Sequence, residues 1–199
     1  KEYLLTKTVK RPYSYMVPYY NFPSTTAIID LNGNNIKTLI NTPQVVNAMG
    51  RDTTSPYARN HGWRADKAAT IYWVEALDGG NPKGKDLAYL DAVYQLDAPF
   101  TGEKQEVVKT PMRFGGIQWC DDQFAIVNQR LGSKHLSTIS SFKPCSGEDV
   151  KELFSWSSDD SYANPGRPAT VKNDFGKDIV YAPKNHTQLL MMSDGASPE

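Results

Sequence analysis

Serine, histidine and aspartate side chains could together form a hydrolase centre, but their spacing in this chain does not favour one. A nucleophile elbow requires Gly-x-Ser-x-Gly at a strand-to-helix turn. Ser133 follows a glycine and Ser146 precedes one, yet neither has the second glycine. The three histidines, His61, His135 and His186, stand singly in loop-like or strand-edge sequence, where a surface or turn role is more common than that of a general base. We therefore predict no catalytic residue in this chain.

Neighbouring carboxylates could instead hold a calcium ion. A calcium loop that begins at Asp30 needs glycine at its sixth position and glutamate at its twelfth. Here Gly33 is the fourth residue and Asn41 the twelfth, so an Asn-Gly hairpin turn is the better interpretation. The aspartate pairs at 121–122 and 159–160 have no further oxygen ligands at a recognisable spacing, and they are typical of solvated turns. We predict neither a metal site nor a cofactor.

Composition excludes two classes of partner. Lys plus Arg and Asp plus Glu each total 22 of the 199 residues, so the formal net charge is zero. A neutral chain has no long-range field that would attract nucleic acid or an anionic membrane, and we expect neither. The two cysteines, Cys120 and Cys145, are too few for a disulfide scaffold. We expect two partly buried thiols, with a single bridge as the alternative.

The chain repeats one structural pattern. Glycine (14) and proline (13) divide it into short segments rich in Val, Ile, Tyr and Thr, which indicates β-structure. Three segments, at 27–40, 92–108 and 137–154, have an apolar strand, a glycine-containing turn and a second apolar strand. The turn glycines Gly102 and Gly147 lie 45 residues apart, which is the length of a four-stranded propeller blade. The longer interval from Gly33 requires an insertion, and the polar loop 41–60 is the natural place for it.

The predicted fold is therefore all-β, a partial β-propeller of four-stranded antiparallel blades. Residues 1–60 would form an N-terminal segment and the outer part of a blade, 61–109 and 113–156 two full blades, and 157–199 the start of another. Trp63–Asp66 and Phe114–Trp119 would be inner strands, with the tryptophans Trp63 and Trp119 between blades. Because a blade is apolar on both faces, a partial ring would expose two apolar faces, and we expect self-association or marginal stability.

Several segments carry a resemblance to one protein family. Gly62-Trp63-Arg64-Ala65-Asp66 and the strand end at 73–80, Trp-Val-Glu-Ala-Leu-Asp-Gly-Gly, are the most specific. They resemble the β-propeller of the glutamyl-peptidase branch of the prolyl-oligopeptidase-like serine peptidases. Further similar segments follow in the family's order, at 11–18, 98–103, 113–119, 164–168 and 195–199. The resemblance covers most of residues 11–199.

The resemblance implies a role without catalytic residues in this chain. The parent would be a serine-type peptidase that cuts after acidic residues, and the propeller would cap the active site and limit which substrates enter. The implied partners are a C-terminal α/β-hydrolase domain, the remaining blades and a peptide substrate. The implied location is the bacterial periplasm or the extracellular space.

A peptidase that prefers acidic side chains needs a cation to receive the carboxylate, and arginine does this with a bidentate fork. Arg64, Arg113 and Arg167 lie in the family-like segments and are the candidate substrate contacts. The alternative is that each pairs with a nearby carboxylate, for example Arg64 with Asp66 or Glu75, and stabilises a blade.

Two other functions fit a chain built from such repeats. One is a stand-alone propeller that binds proteins, although the hairpins lack the Trp-Asp and Gly-His signatures of WD repeats. The other is a carbohydrate-binding propeller, in which exposed tryptophan and tyrosine would form stacking platforms. Most aromatic residues here alternate within the predicted strands, which favours a role in the core.

Overall fold

The structure is a computed structural model that describes residues 2–45, 50–148 and 150–193. The predicted landmark at 195–199 and residues 46–49 of the predicted insertion lie outside the described residues. The described chain is all-β with three short helical turns, which confirms the predicted class. Its strands are β1 (Tyr3–Val9), β2 (Ser24–Asp30), β3 (Asn35–Thr42), β4 (Arg59–Trp63), β5 (Thr70–Ala76), β6 (Asp91–Asp97), β7 (Gln105–Thr110), β8 (Arg113–Trp119), β9 (Ala125–Leu131), β10 (Leu136–Phe142), β11 (Lys151–Ser157), β12 (Arg167–Pro168), β13 (Thr170–Lys172), β14 (Asp178–Val180) and β15 (Met191–Met192). The helical turns are Tyr19–Asn21, Gly132–Lys134 and Pro183–His186.

The longer strands form three antiparallel sheets in which sequence neighbours are also spatial neighbours. Sheet I has the order β1-β2-β3, sheet II β4-β5-β6-β7 and sheet III β11-β10-β9-β8. The antiparallel four-stranded sheets II and III confirm that part of the prediction. They span 59–110 and 113–157, against predicted blades at 61–109 and 113–156. The described residues contain no closed ring of sheets, so the propeller itself stays a prediction.

Local sequence explains the first hairpin. The Asp30 carboxylate accepts hydrogen bonds from the backbone N–H groups of Asn32 (2.9 Å) and Asn34 (2.8 Å) and from the Asn34 side chain (2.8 Å). These bonds lower the pKa of Asp30, the side-chain bond from Asn34 most of all. Gly33 follows at φ +85°, a conformation that costs glycine least. The hairpin interpretation of this aspartate is confirmed.

The first strand of sheet II ends earlier than predicted. We expected an inner strand over Trp63–Asp66, but β4 ends at Trp63. The Arg64 backbone N–H donates to the Thr70 carbonyl (2.9 Å) and closes a turn. The side chains of Arg64 and Asp66 pair within that turn. The prediction was wrong because an ion pair two residues apart in the sequence favours a turn here.

The predicted insertion between sheets I and II is attached to the core where it is described. Asp52 is buried, and its carboxylate accepts hydrogen bonds from the backbone N–H groups of Gly132 (2.6 Å) and Ser133 (3.1 Å). Thr54 donates a backbone hydrogen bond to Gly80 (2.8 Å). The predicted insertion is therefore bound to sheets II and III through Asp52 and Thr54.

The three sheets pack face to face, because both faces of the central sheet are apolar. On β5, Ile71 and Trp73 face sheet I, whereas Tyr72 and Val74 face sheet III. Trp119 lies in the cluster between sheets II and III, and Trp63 packs against the cluster between sheets I and II, as predicted. The β10–β11 turn of sheet III also lies close to the backbone of sheet II. A Cβ added to Gly147 in this turn would lie 2.7 Å from the Val107 carbonyl oxygen.

The last described segment covers the outer face of sheet III. Residues 167–192 form two small sheets, β12-β15 and β13-β14. Val180 is buried against Ile126 and Ile139, with Leu189 and Met191 around them. Whether this segment begins a further blade stays a prediction. Among the described helical turns, none has the length and apolar character needed to cross a membrane.

Candidate functional site

Arg113, the first residue of β8, lies in a closed network with sheet II. It is only 5% exposed. Its Nε donates to the Asp52 carbonyl (2.6 Å), and Nη1 donates to the Leu90 carbonyl (3.2 Å) and to Asp91 Oδ1 (2.9 Å). Nη2 donates to the Asp78 carboxylate. One guanidinium therefore joins sheet III to Asp91 of β6, to Asp78 in the β5–β6 connection and to the loop before β4.

Both aspartates of this network have fully buried side chains. Asp91 has two further donors, the Arg59 guanidinium (2.6 Å) and the Phe114 backbone N–H (2.7 Å). A buried carboxylate is stable only when charge and hydrogen bonds compensate its lost hydration. Two arginines and two aspartates balance each other in this network.

Arg64 forms a second cluster at the other end of the same interface. It is 2% exposed and binds Asp66 in a fork, with Nε to Oδ1 at 3.0 Å and Nη2 to Oδ2 at 2.5 Å. It also donates to Gln95 Oε1 (2.6 Å) and to Asp122 Oδ1 (3.0 Å). Its guanidinium carbon lies 4.3 Å from the centre of the Trp119 ring, a cation–π contact.

The outer part of this second cluster is open to solvent. The Asp122 side chain is 43% exposed and also binds Lys67. Burial works against ionisation of Asp122, but the hydrogen bond and charge of Lys67, together with Arg64, outweigh it and lower its pKa. Asp122 is therefore an ionised, half-exposed carboxylate at the surface of the cluster.

Arg167, the first residue of β12, differs from both. It is exposed, and in residues 2–45, 50–148 and 150–193 its guanidinium has no hydrogen-bond or ion-pair partner. Its backbone pairs with Met192.

The three predicted arginines do not form one site. Arg64 and Arg113 lie near opposite ends of β8, about 20 Å apart for a seven-residue strand, and Arg167 is on another sheet. Arg64 pairs with Asp66, the alternative partner that the sequence offered. A contact of any of the three with a substrate stays a prediction.

Two of the histidines have carboxylate partners that the sequence analysis missed. His135 Nδ1 lies 2.7 Å from Asp159 Oδ2, and its Nε2 contacts Arg51. His186 Nε2 lies 2.8 Å from Asp121 Oδ2. The expectation that these two histidines stand singly is therefore wrong. Asp121 and His186 are 65 residues apart in the sequence, so their spacing did not indicate a pair. The aspartate pairs were visible in the sequence, but nothing local indicated their partners.

His61 is a half-buried histidine at the interface between sheets I and II. Its ring stacks on Trp73, with centroids 6.4 Å apart and planes 19° apart. Burial lowers the pKa of His61 from 6.5 to about 4, with a further lowering by Lys7 and an opposing effect of Glu75. The side chain is therefore a neutral imidazole near pH 7.

The cysteines are both free thiols, Cys120 half-buried and Cys145 exposed. The expectation of a partly buried thiol is confirmed for Cys120 and wrong for Cys145. In the part of the chain that the structure describes, one group of side chains has the donors and closeness for a metal ion, namely Cys120, Asp121 and His186. It differs from the calcium loops considered for the sequence, because its donors are sulfur, oxygen and nitrogen.

Two cavities lie beside β1, the edge strand of sheet I. One, of about 420 Å³, is lined by residues of β1, β2 and β4, among them His61. The other, of about 650 Å³, is lined by Tyr3, Trp63, Lys67 and Lys177, among others. Both cavities are lined by residues of sheets I and II, so the interface beside β1 contains open space.

Comparisons with known proteins relate the chain to part of a peptidase. No protein-family model and no solved structure matches it significantly. It is 32% identical over 206 aligned residues to a probable chloroplastic glutamyl endopeptidase of rice, Oryza sativa subsp. japonica. It is equally identical to a protein of the same name from Arabidopsis thaliana. The alignments include the whole chain but only 22% and 21% of those proteins, so the chain spans about a fifth of their length.

These relatives correct one expectation. The resemblance implied a bacterial periplasmic or secreted protein, whereas both relatives are named as chloroplastic plant proteins. The bacterial periplasmic or secreted location is therefore not supported. The relation to proteins named as peptidases is supported, and it concerns a part of them that is all-β here.

Proposed function

We propose that this chain is the partial β-propeller of a serine peptidase of the prolyl-oligopeptidase type, in its glutamyl-peptidase branch. It covers an α/β-hydrolase domain elsewhere in the polypeptide and limits which substrates reach it. The observation that carries the proposal is the 32% identity of the whole chain to a fifth of two proteins named glutamyl endopeptidase. Cleavage after acidic residues is the specificity that this name suggests.

The packing of the sheets supports the propeller part of the proposal. Sheet II has an apolar cluster on each face, and sheet III is covered on one face by sheet II and on the other by residues 180–191. Sheets of sequential strands that pack face to face in chain order are the repeating unit of a propeller. The blade limits 61–109 and 113–156 belong to this proposal.

Among the candidate arginines, Arg167 is the one we propose to meet an acidic substrate. Arg64 and Arg113 already bind carboxylates at close range. A substrate carboxylate would have to displace these buried partners, which leaves a buried charge uncompensated. The exposed Arg167 can form a bidentate pair with a glutamate side chain at no such cost.

The test uses the full-length protein that contains this chain. Matched peptides that differ only in Glu or Gln before the cleaved bond are hydrolysed by wild type and Arg167→Ala. We expect Arg167→Ala to lower kcat/KM for the Glu peptide about tenfold, as the loss of a charge-assisted pair predicts, and to leave the Gln peptide unchanged. Arg130→Ala is the control, since Arg130 is also exposed on a strand.

Different results refute different parts of the proposal. Equal losses for both peptides would remove Arg167 from substrate recognition without affecting the peptidase assignment. Hydrolysis of the Glu peptide by the isolated chain would contradict the proposal that the catalytic residues lie elsewhere. Absence of cleavage after Glu by the full-length protein would remove the proposed specificity.

A binding scaffold is the second candidate, and one observation favours it. The segment 13–20 exposes the side chains of Tyr13, Tyr15, Tyr19 and Tyr20, and clustered exposed aromatics mark binding surfaces. If this segment binds a separate partner, its backbone hydrogens will exchange equally fast in the isolated chain and in the full-length protein. Strong protection in the full-length protein alone would show that the rest of the polypeptide covers it.

A further inference from the structure

We propose that Cys120, Asp121 and His186 form a Zn²⁺ site that joins the turn between β8 and β9 to the segment at 183–187. The ligand atoms of the three side chains all lie within 4.8 Å of one another. The site does not depend on the proposed peptidase function. It concerns two parts of the chain that are 65 residues apart and packed together at the outer side of sheet III.

Asp121 is held in the orientation that a ligand requires. Its Oδ1 accepts hydrogen bonds from the backbone N–H groups of Gln123 (2.7 Å) and Phe124 (2.9 Å). These bonds fix the carboxylate and leave Oδ2 directed at His186 Nε2, 2.8 Å away. Hydrogen bonds of this kind to the second oxygen are how proteins orient a ligating carboxylate.

His186 is fixed by its ring. The imidazole stacks on Phe124, with centroids 5.3 Å apart and planes 9° apart. Lys184, Asn185 and His186 all have φ between 55° and 65°, which turns the backbone so that the ring reaches the β8–β9 turn. In the described chain, Nε2 has Asp121 as its partner and Nδ1 has none.

Cys120 supplies the third donor. Its backbone N–H bonds to the Phe124 carbonyl (3.2 Å), so the same turn holds it, and within the described residues its Sγ has no hydrogen-bond partner. The Sγ lies within 4.8 Å of the ligand atoms of both Asp121 and His186, so one ion can contact all three side chains.

The combination of donors selects the ion. Calcium and magnesium prefer sites made of oxygen alone, whereas Zn²⁺ binds sulfur, nitrogen and oxygen together in a tetrahedron. Three protein ligands leave a fourth position. Cys120 and Asp121 also line an open cavity of about 250 Å³, together with Asp122 and Asp174. This cavity, which Lys67 also lines, has room for a water molecule as the fourth ligand.

The test is a titration of the metal-free protein with Zn²⁺ by calorimetry, and with Co²⁺ by absorption spectroscopy. A thiolate bound to Co²⁺ gives a near-ultraviolet charge-transfer band, which reports Cys120 directly. We expect one equivalent to bind and the melting temperature to rise with Zn²⁺ concentration, as for any ligand of the folded state. Asp121→Asn keeps the hydrogen-bond acceptor of the turn and removes the charge, and we expect it to weaken binding about tenfold or more.

Matched variants decide between this site and adventitious binding. Cys120→Ser should abolish the charge-transfer band and His186→Gln should weaken binding at least as much as Asp121→Asn. Cys145→Ser changes the other thiol, and His135→Gln changes the other histidine–aspartate pair, so neither should affect binding. If His186→Gln does not fold, the near-isosteric Cys120→Ser still decides.

The proposal is overturned by three results. These are the absence of saturable Zn²⁺ binding to wild type, a Co²⁺ band that survives Cys120→Ser, and binding that disappears in Cys145→Ser or His135→Gln. The last two would assign the metal to other donors.

Discussion

The two ends of the interface between sheets II and III use arginine in different ways. At the Arg113 end, both carboxylate partners are fully buried, and backbone carbonyls accept the remaining N–H groups. At the Arg64 end, one partner, Asp122, is half-exposed, and the guanidinium lies over Trp119. The first is an ionic network closed to solvent, whereas the second joins the buried Arg64–Asp66 pair to the Trp119 ring and to a half-exposed carboxylate.

The different burial of the carboxylates at the two ends indicates which ion pairs contribute most to the stability of this fold. Removal of one member of a buried pair leaves a charge without hydration or partner, which is far more costly than loss of a solvated pair. At the Arg113 end such a loss would affect two aspartates. At the Arg64 end, water and Lys67 remain for Asp122, and Asp66 is the main carboxylate that loses its partner.

Replacement of the two arginines measures this difference most directly. We expect Arg113→Leu to lower the free energy of unfolding by about 3–5 kcal/mol and Arg64→Leu by about 2 kcal/mol, because Arg113 binds two fully buried carboxylates. Asp78 loses its cation in Arg113→Leu, and Asp91 keeps only Arg59 of its two. Urea denaturation measures both values. Arg130→Leu, at the exposed residue that pairs with Arg113 across the strands, should change stability by less than about 0.5 kcal/mol. Equal losses for Arg113→Leu and Arg64→Leu would contradict the comparison.

At the interface between sheets I and II, the stability of the fold should depend on pH. The half-buried His61 at this interface has a pKa that its partial burial lowers to about 4. The unfolded chain therefore binds a proton near pH 6.5 while the folded chain does not, and stability falls as the pH decreases from about 6.5 to 4. The contribution lost is about 2–3 kcal/mol at pH 4. Differential scanning calorimetry across this range measures it.

His61→Phe is the control for this pH effect. The substitution keeps a ring against Trp73 and removes the titration. The difference between wild type and His61→Phe should be constant above about pH 7 and should shift in favour of the variant below pH 6.5. A difference that does not depend on pH would show that His61 titrates normally in the folded protein.

Sequence reasoning predicted the local parts of this structure. Alternating apolar residues and glycine turns indicated the strands around Ala92 and Ile139, and Asn32-Gly33 indicated its hairpin, because each of these features depends on residues close in sequence. The position of Trp119 between the sheets was also predicted correctly. A large aromatic residue at the end of an inner strand is buried against the neighbouring sheet.

The missed features depend on contacts between distant residues. The strand β1 pairs with β2 across some twenty residues, and the polar run Thr6-Lys7-Thr8 interrupts its apolar residues. Asp52 is buried because Gly132 and Ser133 bind it. The pair of Asp121 and His186 likewise depends on how residues 183–187 lie against sheet III. Local propensity contains no information about such partners.

Each cluster has a second cation besides its central arginine, and replacing these second cations has the smallest expected effect on stability. Lys67 binds the half-exposed Asp122, as Arg59 binds the fully buried Asp91. We expect Lys67→Met to cost less than about 1 kcal/mol, as for surface ion pairs, and Arg59→Met to cost about 2 kcal/mol or more. Added salt should reduce the effect of Lys67→Met but not that of Arg59→Met, because only exposed charges are screened.

The pH dependence of Lys67→Met then follows from Asp122. Lys67 lowers the pKa of that carboxyl, so its contribution is present above the ordinary value of 3.8 and is lost as the pH falls through the lowered one. The stability difference between wild type and Lys67→Met should therefore shrink below about pH 4. A difference that persists at pH 2 would mean that Lys67 stabilises the turn through its aliphatic stem, and the ion pair would then not distinguish the two clusters.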